Sequence, residues 1–87
     1  MAKKGYEINH YLKQQRRLAQ ITQEDLGRKL GYSSGQFVSN WENNRENARP
    51  PHKILKKLIV MLKLNKTHLK KLMLRDYLVE IQKEIFN

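Results

Sequence analysis

From Ile8 to Ile85 apolar residues recur at spacings of three and four, and no run alternates with period two over a strand length. Only two prolines and four glycines interrupt this pattern, which predicts an all-α fold of five helices. The first is expected from about Asn9 to Ala19, with Ile8, Leu12, Arg16 and Ala19 along one side. An arginine in line with that apolar stripe asks for a carboxylate from elsewhere in the chain. The second start is the best marked: Thr22 is a natural N-cap, Asp25 stands where a capping-box acid belongs, and Ile21 and Leu26 occupy the positions of a hydrophobic staple. Leu26 and Leu30 face inward, and Gly31 closes a short helix of roughly residues 23–30.

A third helix begins within "SSGQ", capped by Ser33 or Ser34. It turns Val38 and Trp41 inward and ends at Asn43 and Asn44, since asparagine accepts the left-handed conformation. A fourth starts near Pro51, where the missing N–H costs nothing, and Ile54, Leu55, Leu58, Met61 and Leu62 form its apolar face. Asn65 or Thr67 restarts the chain into a fifth, over about residues 66–85, apolar at Leu69, Leu72, Met73, Tyr77, Leu78, Ile81 and Ile85.

At 87 residues the chain is read as a single domain, residues 1–87, with its core over about 8–64; a deep catalytic cleft is not expected, so the protein is not read as an enzyme. The net charge of +10, from 18 Lys+Arg against 8 Asp+Glu, points to a polyanionic partner, nucleic acid before membrane. The charge is uneven: five basic residues against one acidic in 1–22, four against four in 23–49, nine against three in 50–87. The central segment would therefore read chemistry with uncharged side chains while its flanks supply attraction. The absence of cysteine removes thiolate metal sites, and His10, His52 and His68 fall in separate segments without a carboxylate cluster, so neither a metal nor a cofactor is expected. "MAKKGYEINH" lacks the apolar run of a signal peptide and no stretch reaches the ~18 apolar residues of a membrane span, so a soluble cytoplasmic protein is expected. The basic "ILKKLIVMLKL" is read as the core-facing fourth helix rather than a membrane-surface helix.

Two short helices joined by a tight turn, the second with an apolar back and a polar front, are what a helix-turn-helix needs. Gln36 and Asn40 can each bond adenine N6 and N7, with Ser34, Gly35 and Ser39 in support. Ser33-x-x-Gln36 is also a capping box, which would turn the Gln36 amide onto its own helix instead. Phe37 has two readings: contact with a thymine methyl, or filling the gap between the third and fourth helices.

Arg16, then "TQEDL" at 22–26, "LG" at 30–31, "VSNWENN" at 38–44 and a following proline resemble, over about Leu12 to Leu64, the phage-repressor helix-turn-helix of the Cro/CI or XRE family. The resemblance implies a lambda-repressor-like five-helix fold and a sequence-specific regulator of transcription, a repressor, binding a palindromic double-stranded DNA operator as a homodimer. It further implies an ion pair between Arg16 and Glu42 and a phosphate contact from Gln23, which also braces a recognition side chain. Asn43, Asn44 and Arg45 would form a turn clamping the DNA backbone, with Lys53 on phosphate nearby, and Leu26, Leu30, Val38, Trp41 and Leu58 would anchor the core. The chain departs from the family in one respect: Gly31 to Glu42 is eleven steps against the usual ten, which leaves the base-reading register open by one between Ser34 and Gln36. Asn44 also stands where glycine is usual. Leu74, Tyr77, Leu78, Ile81 and Ile85 approximate a dimer seam, the alternative being that they pack back on their own bundle. A second functional reading is an antitoxin that binds a toxin protein and autoregulates its operon.

Overall fold

The computed structural model describes residues 6–86, folded as α1 (Glu7–Leu18), α2 (Gln23–Lys29), α3 (Gln36–Glu42), a 3-10 turn (Arg45–Asn47), α4 (His52–Met61) and α5 (Lys66–Phe86). Every regular element among the described residues is helical. Lys3 and Lys4, part of the expected basic flank, lie outside them.

The local signals act largely where the side chains predict. The Thr22 hydroxyl accepts the Asp25 N–H at 3.0 Å, satisfying one of the donors that a helix start leaves open. Gly31 takes φ +101° after α2, and Asn44 takes φ 54° after α3. At the start of α5 the Asn65 side chain accepts the His68 N–H at 2.9 Å, while the Asn65 N–H donates to the Tyr11 hydroxyl at 3.0 Å and so ties α5 to α1. The start of α1 has no local cap. Its Glu7 and Ile8 N–H groups donate instead to the Asp76 carboxylate of α5, at 2.7 and 3.1 Å.

Leu26, Leu30, Val38, Trp41 and Leu58, the expected anchors, all lie in one buried cluster with Ile8, Tyr11, Leu12, Leu55, Leu62, Leu64, Leu69 and Leu72. Each such side chain contributes about 1.5–3 kcal/mol of burial. Three expectations are corrected. Ala19 is exposed, because α1 has already ended and the buried positions on it are Ile8, Asn9, Tyr11, Leu12 and Arg16. The Ser33–Gln36 capping box does not form: the Ser34 hydroxyl takes the Gln36 N–H at 3.2 Å, and the Gln36 amide turns to Asn40. Phe37 does not fill the gap between α3 and α4; its ring stacks on Tyr32 with centroids 4.3 Å apart and stays 50% exposed, since the turn brings Tyr32 alongside it.

The connection after Gly31 runs to Gly35, the N-cap of α3. It lies hard against α2. A Cβ on Gly27 would sit 2.2 Å from the Ser34 carbonyl oxygen, and one on Gly35 would sit 2.7 Å from the Gln23 carbonyl. Two glycines therefore set how closely α2 and α3 approach.

On helix propensity alone, Gly27→Ala in the middle of α2 should stabilise by about 1 kcal/mol. Because the backbone of Ser34 occupies the space of the added methyl, the expected result is instead a loss of about 1–3 kcal/mol in urea unfolding. A stabilised variant would show that the turn does not press on α2.

Candidate nucleic-acid interface

The orientation of α3 is fixed from its buried side. Val38, Trp41 and Glu42 are buried, and the Glu42 carboxylate meets Arg16 of α1 in a two-point contact, Nε to Oε2 at 2.6 Å and Nη2 to Oε1 at 3.0 Å. The remaining partners complete the pair: Arg16 Nη1 donates to the Ile21 carbonyl at 2.6 Å, and the Gln23 amide donates to Glu42 Oε1 at 2.8 Å. The pair thus joins α1, the α1–α2 connection and the first residue of α2 to α3. The Arg16 and Glu42 side chains are 10% and 3% exposed, so their attraction is little screened by solvent.

With that side held, the opposite stripe faces out. Gln36, Ser39, Asn40 and Asn43 follow the i, i+3, i+4, i+7 pattern of one helix face. Gln36 Nε2 donates to Asn40 Oδ1 at 2.9 Å, so the two amides expected to read bases share one surface. Arg45, in the 3-10 turn, reaches back over that surface: its Nη1 donates to Ser39 Oγ at 3.0 Å and to Asn40 Oδ1 at 3.1 Å. The turn is itself pinned from below by the buried Asn9 amide, which donates to Asn44 Oδ1 at 3.2 Å and to the Ala48 carbonyl at 2.8 Å.

Several expected contact residues are placed differently. Gly35 is buried against α2 rather than on the front, because the close approach of the two helices occupies it. Ser34 is half-buried, with its hydroxyl on the Gln36 N–H. Gln23 braces Glu42 rather than a recognition side chain. Asn43 and Asn44 do not present a free clamp. Their N–H groups close the end of α3 on the Ser39 and Trp41 carbonyls, at 2.9 and 3.1 Å. The Asn43 amide folds onto Ser39, and the Asn44 side chain points to Asn9. Arg45 and Lys53 are exposed.

Other contributors were not singled out from sequence. Glu24 of α2 accepts the Gly35 N–H at 3.0 Å with one oxygen and the Arg28 guanidinium at 2.6 Å with the other, supplying α3 with the N-terminal carboxylate its own first turn lacks. The available signal was an acid four residues before an arginine. Asp76 has the same signature as Arg16, a charge in line with the apolar positions Leu69 and Leu72. Asn9 carried no comparable signal. Among the described residues no group of histidine and carboxylate side chains could hold a metal ion. Among the same residues no helix is long and apolar enough to cross a membrane.

A family model described as Helix-turn-helix matches residues 12–69, which is most of the chain and includes α2, α3 and the turn between them. No curated protein and no solved structure matches it.

The Arg28 guanidinium, and after it the Gly35 N–H, hold the Glu24 carboxyl below its ordinary value of 4.5. A carboxyl lowered in this way supports the α2–α3 junction fully above its unfolded value, and the support is lost as pH falls through the lower folded value. The Gly35 amide resonance should therefore titrate with a midpoint below 4.5, and Arg28→Ala should move that midpoint upward. An amide that stays still through the acid range would remove Glu24 from the junction.

Proposed function

The chain belongs to the Cro/CI-type helix-turn-helix family of DNA-binding regulators, and from that premise we propose that it represses transcription by setting α3 into the major groove of a palindromic operator. Each half-site takes one copy, and the two copies pair through the outer part of α5. The observation that carries this reading is the sidedness of α3. Val38, Trp41 and Glu42 are sealed inward, and Gln36, Ser39 and Asn40 lie together on the outer stripe with Arg45 over them. Uncharged amides and hydroxyls at that front offer the hydrogen bonds that distinguish base edges, whereas the +10 net charge supplies attraction without sequence preference. Gln36 and Asn40 are the base readers, with Ser39 and Ser34 beside them. Arg45, Lys53 and the second amide hydrogen of Gln23 contact phosphate. Gly35, Asn43 and Asn44 hold the frame.

Pairing is supported by what α5 leaves uncovered. Leu69, Leu72 and Asp76 face the bundle, whereas Leu74, Tyr77, Leu78 and Ile85 are 57, 57, 50 and 65% exposed and Ile81 is half-buried. An exposed apolar strip of this kind is what a second copy would cover. An antitoxin would use the same strip to hold a toxin, so a dimer formed by the chain alone favours the repressor reading.

On a duplex carrying the preferred palindrome, affinity should fall steeply with salt and two chains should bind per site. Asn40→Ala should weaken that site by ~1–3 kcal/mol and leave random duplex unaffected. Leu78→Glu should leave the fold intact and, at the concentration where the unaltered chain places two copies on the palindrome, leave only one bound. Equal losses from Asn40→Ala on both DNAs would remove α3 from base reading, and a monomer at all concentrations would remove α5 from pairing.

A further inference from the structure

The hydrogen bonds on the front of α3 have a direction, and Arg45 sets it. A guanidinium can only donate, so the Asn40 atom 3.1 Å from Arg45 Nη1 must be the carboxamide oxygen. That oxygen also accepts from Gln36 Nε2 at 2.9 Å, which fixes the Gln36 amide in turn. Both lone pairs of Asn40 Oδ1 are then engaged, and only the Nδ2 hydrogens of Asn40 remain to face a base. Gln36 keeps its Oε1 and one Nε2 hydrogen.

These leftovers match different base edges. In the major groove adenine presents an acceptor at N7 beside a donor at N6, whereas guanine presents two acceptors, N7 and O6. Gln36, with one acceptor and one donor free, complements adenine. Asn40, with donors alone, complements guanine and opposes the N6 hydrogens of adenine. The backbone from which Arg45 reaches is itself held in place. It sits in a turn of non-glycine left-handed residues, Asn44, Glu46 and Asn47 at φ 54°, 51° and 58°, and the buried Asn9 amide fastens that turn at Asn44 and Ala48. Ser39 Oγ takes the other hydrogen of Nη1 at 3.0 Å, so the guanidinium is held at two points.

We infer that Arg45 is a specificity-determining residue: by holding the Asn40 carbonyl oxygen it makes Asn40 a donor, so each half-site carries guanine opposite Asn40 and adenine opposite Gln36. This rests on the reading of α3 as the base-contacting helix. Arg45 acts here through Asn40 as a positioning residue, and its Nε and Nη2 edge stays available for phosphate.

The test is selection of bound duplexes from a random pool by the full chain and by variants, scoring the base whose preference Asn40→Ala abolishes. Guanine is expected there for the unaltered chain. In Arg45→Met the Asn40 amide is free to turn, and the guanine-over-adenine preference at that position should fall about tenfold. Arg45→Lys, which still donates, should retain it. Both substitutions fall at an exposed loop side chain, and a change confined to one base position is something a general loss of affinity would not produce. Adenine at that position in the unaltered chain, or an unchanged guanine preference in Arg45→Met, overturns the inference while leaving α3 as the reader. A pool without any shared motif overturns base reading by α3, and this inference with it.

Discussion

The geometry of the proposed reading face depends on the buried contact between Arg16 and Glu42. Taking both charges out of water costs several kcal/mol per ion, and their mutual attraction offsets this only when the remaining hydrogen-bonding capacity is met. Here it is met by the Ile21 carbonyl and the Gln23 amide. Two apolar side chains of the same volume could stabilise the junction as well. They would lack direction. A planar guanidinium meeting a carboxylate at two points fixes the rotation of α3 about its own axis, and that rotation decides which stripe is turned to solvent. A turn of one residue, about 100°, would carry Gln36 and Asn40 away from each other's present surroundings and from Arg45.

A second set of polar ties positions what flanks α3. Asn9 holds the following turn from beneath, with its own Oδ1 left without a protein partner. Asp76 caps α1 from α5. Nearby, the Tyr6 hydroxyl donates to Glu80 at 2.6 Å, which raises the tyrosine pKa above 10.0, and Arg49 lies 4.8 Å over the Tyr6 ring. Through these contacts α5 is fastened to the bundle along the Leu69–Leu72–Asp76 side, and its other side is left to solvent. The apolar residues that no longer have a place inside are the ones proposed to meet a second copy.

Much of this was legible in the residues because the signals are local. Thr22, Gly31, Asn44 and Asn65 act at helix ends through groups adjacent in sequence, and the spacing of apolar positions assigns the core. Arg16 was legible as a charge needing a partner, but Glu42 as that partner followed from the family resemblance, since the partner lies 26 positions away. Asp76 obeys the same logic and passed unnoticed, for its partners are backbone N–H groups and carry no residue signature. The left-handed residues Gln20 and Lys63 close α1 and α4 through local bonds, from the Ile21 N–H to the Arg16 carbonyl and from the Leu64 N–H to the Ile59 carbonyl, but neither residue type announces that conformation, and nor does Glu46. At the site, sequence identifies Gln36, Asn40 and Arg45 but cannot say which atom of an amide faces outward. That depends on a guanidinium brought near by the fold. Gly35 and Phe37 meet other surfaces than expected because the turn presses on α2 and sets Tyr32 beside Phe37, whereas the Asn43 amide folds back onto Ser39 at the end of its own helix.

The most direct measurement of the central constraint is a double-mutant cycle in urea unfolding with Arg16→Met, Glu42→Leu and the two together. If the pair locks α1 to α3, each single change strands a buried charge and loses about 3–5 kcal/mol, and the double variant loses no more than either alone. Small losses that simply add, as for two unrelated surface charges, would contradict it.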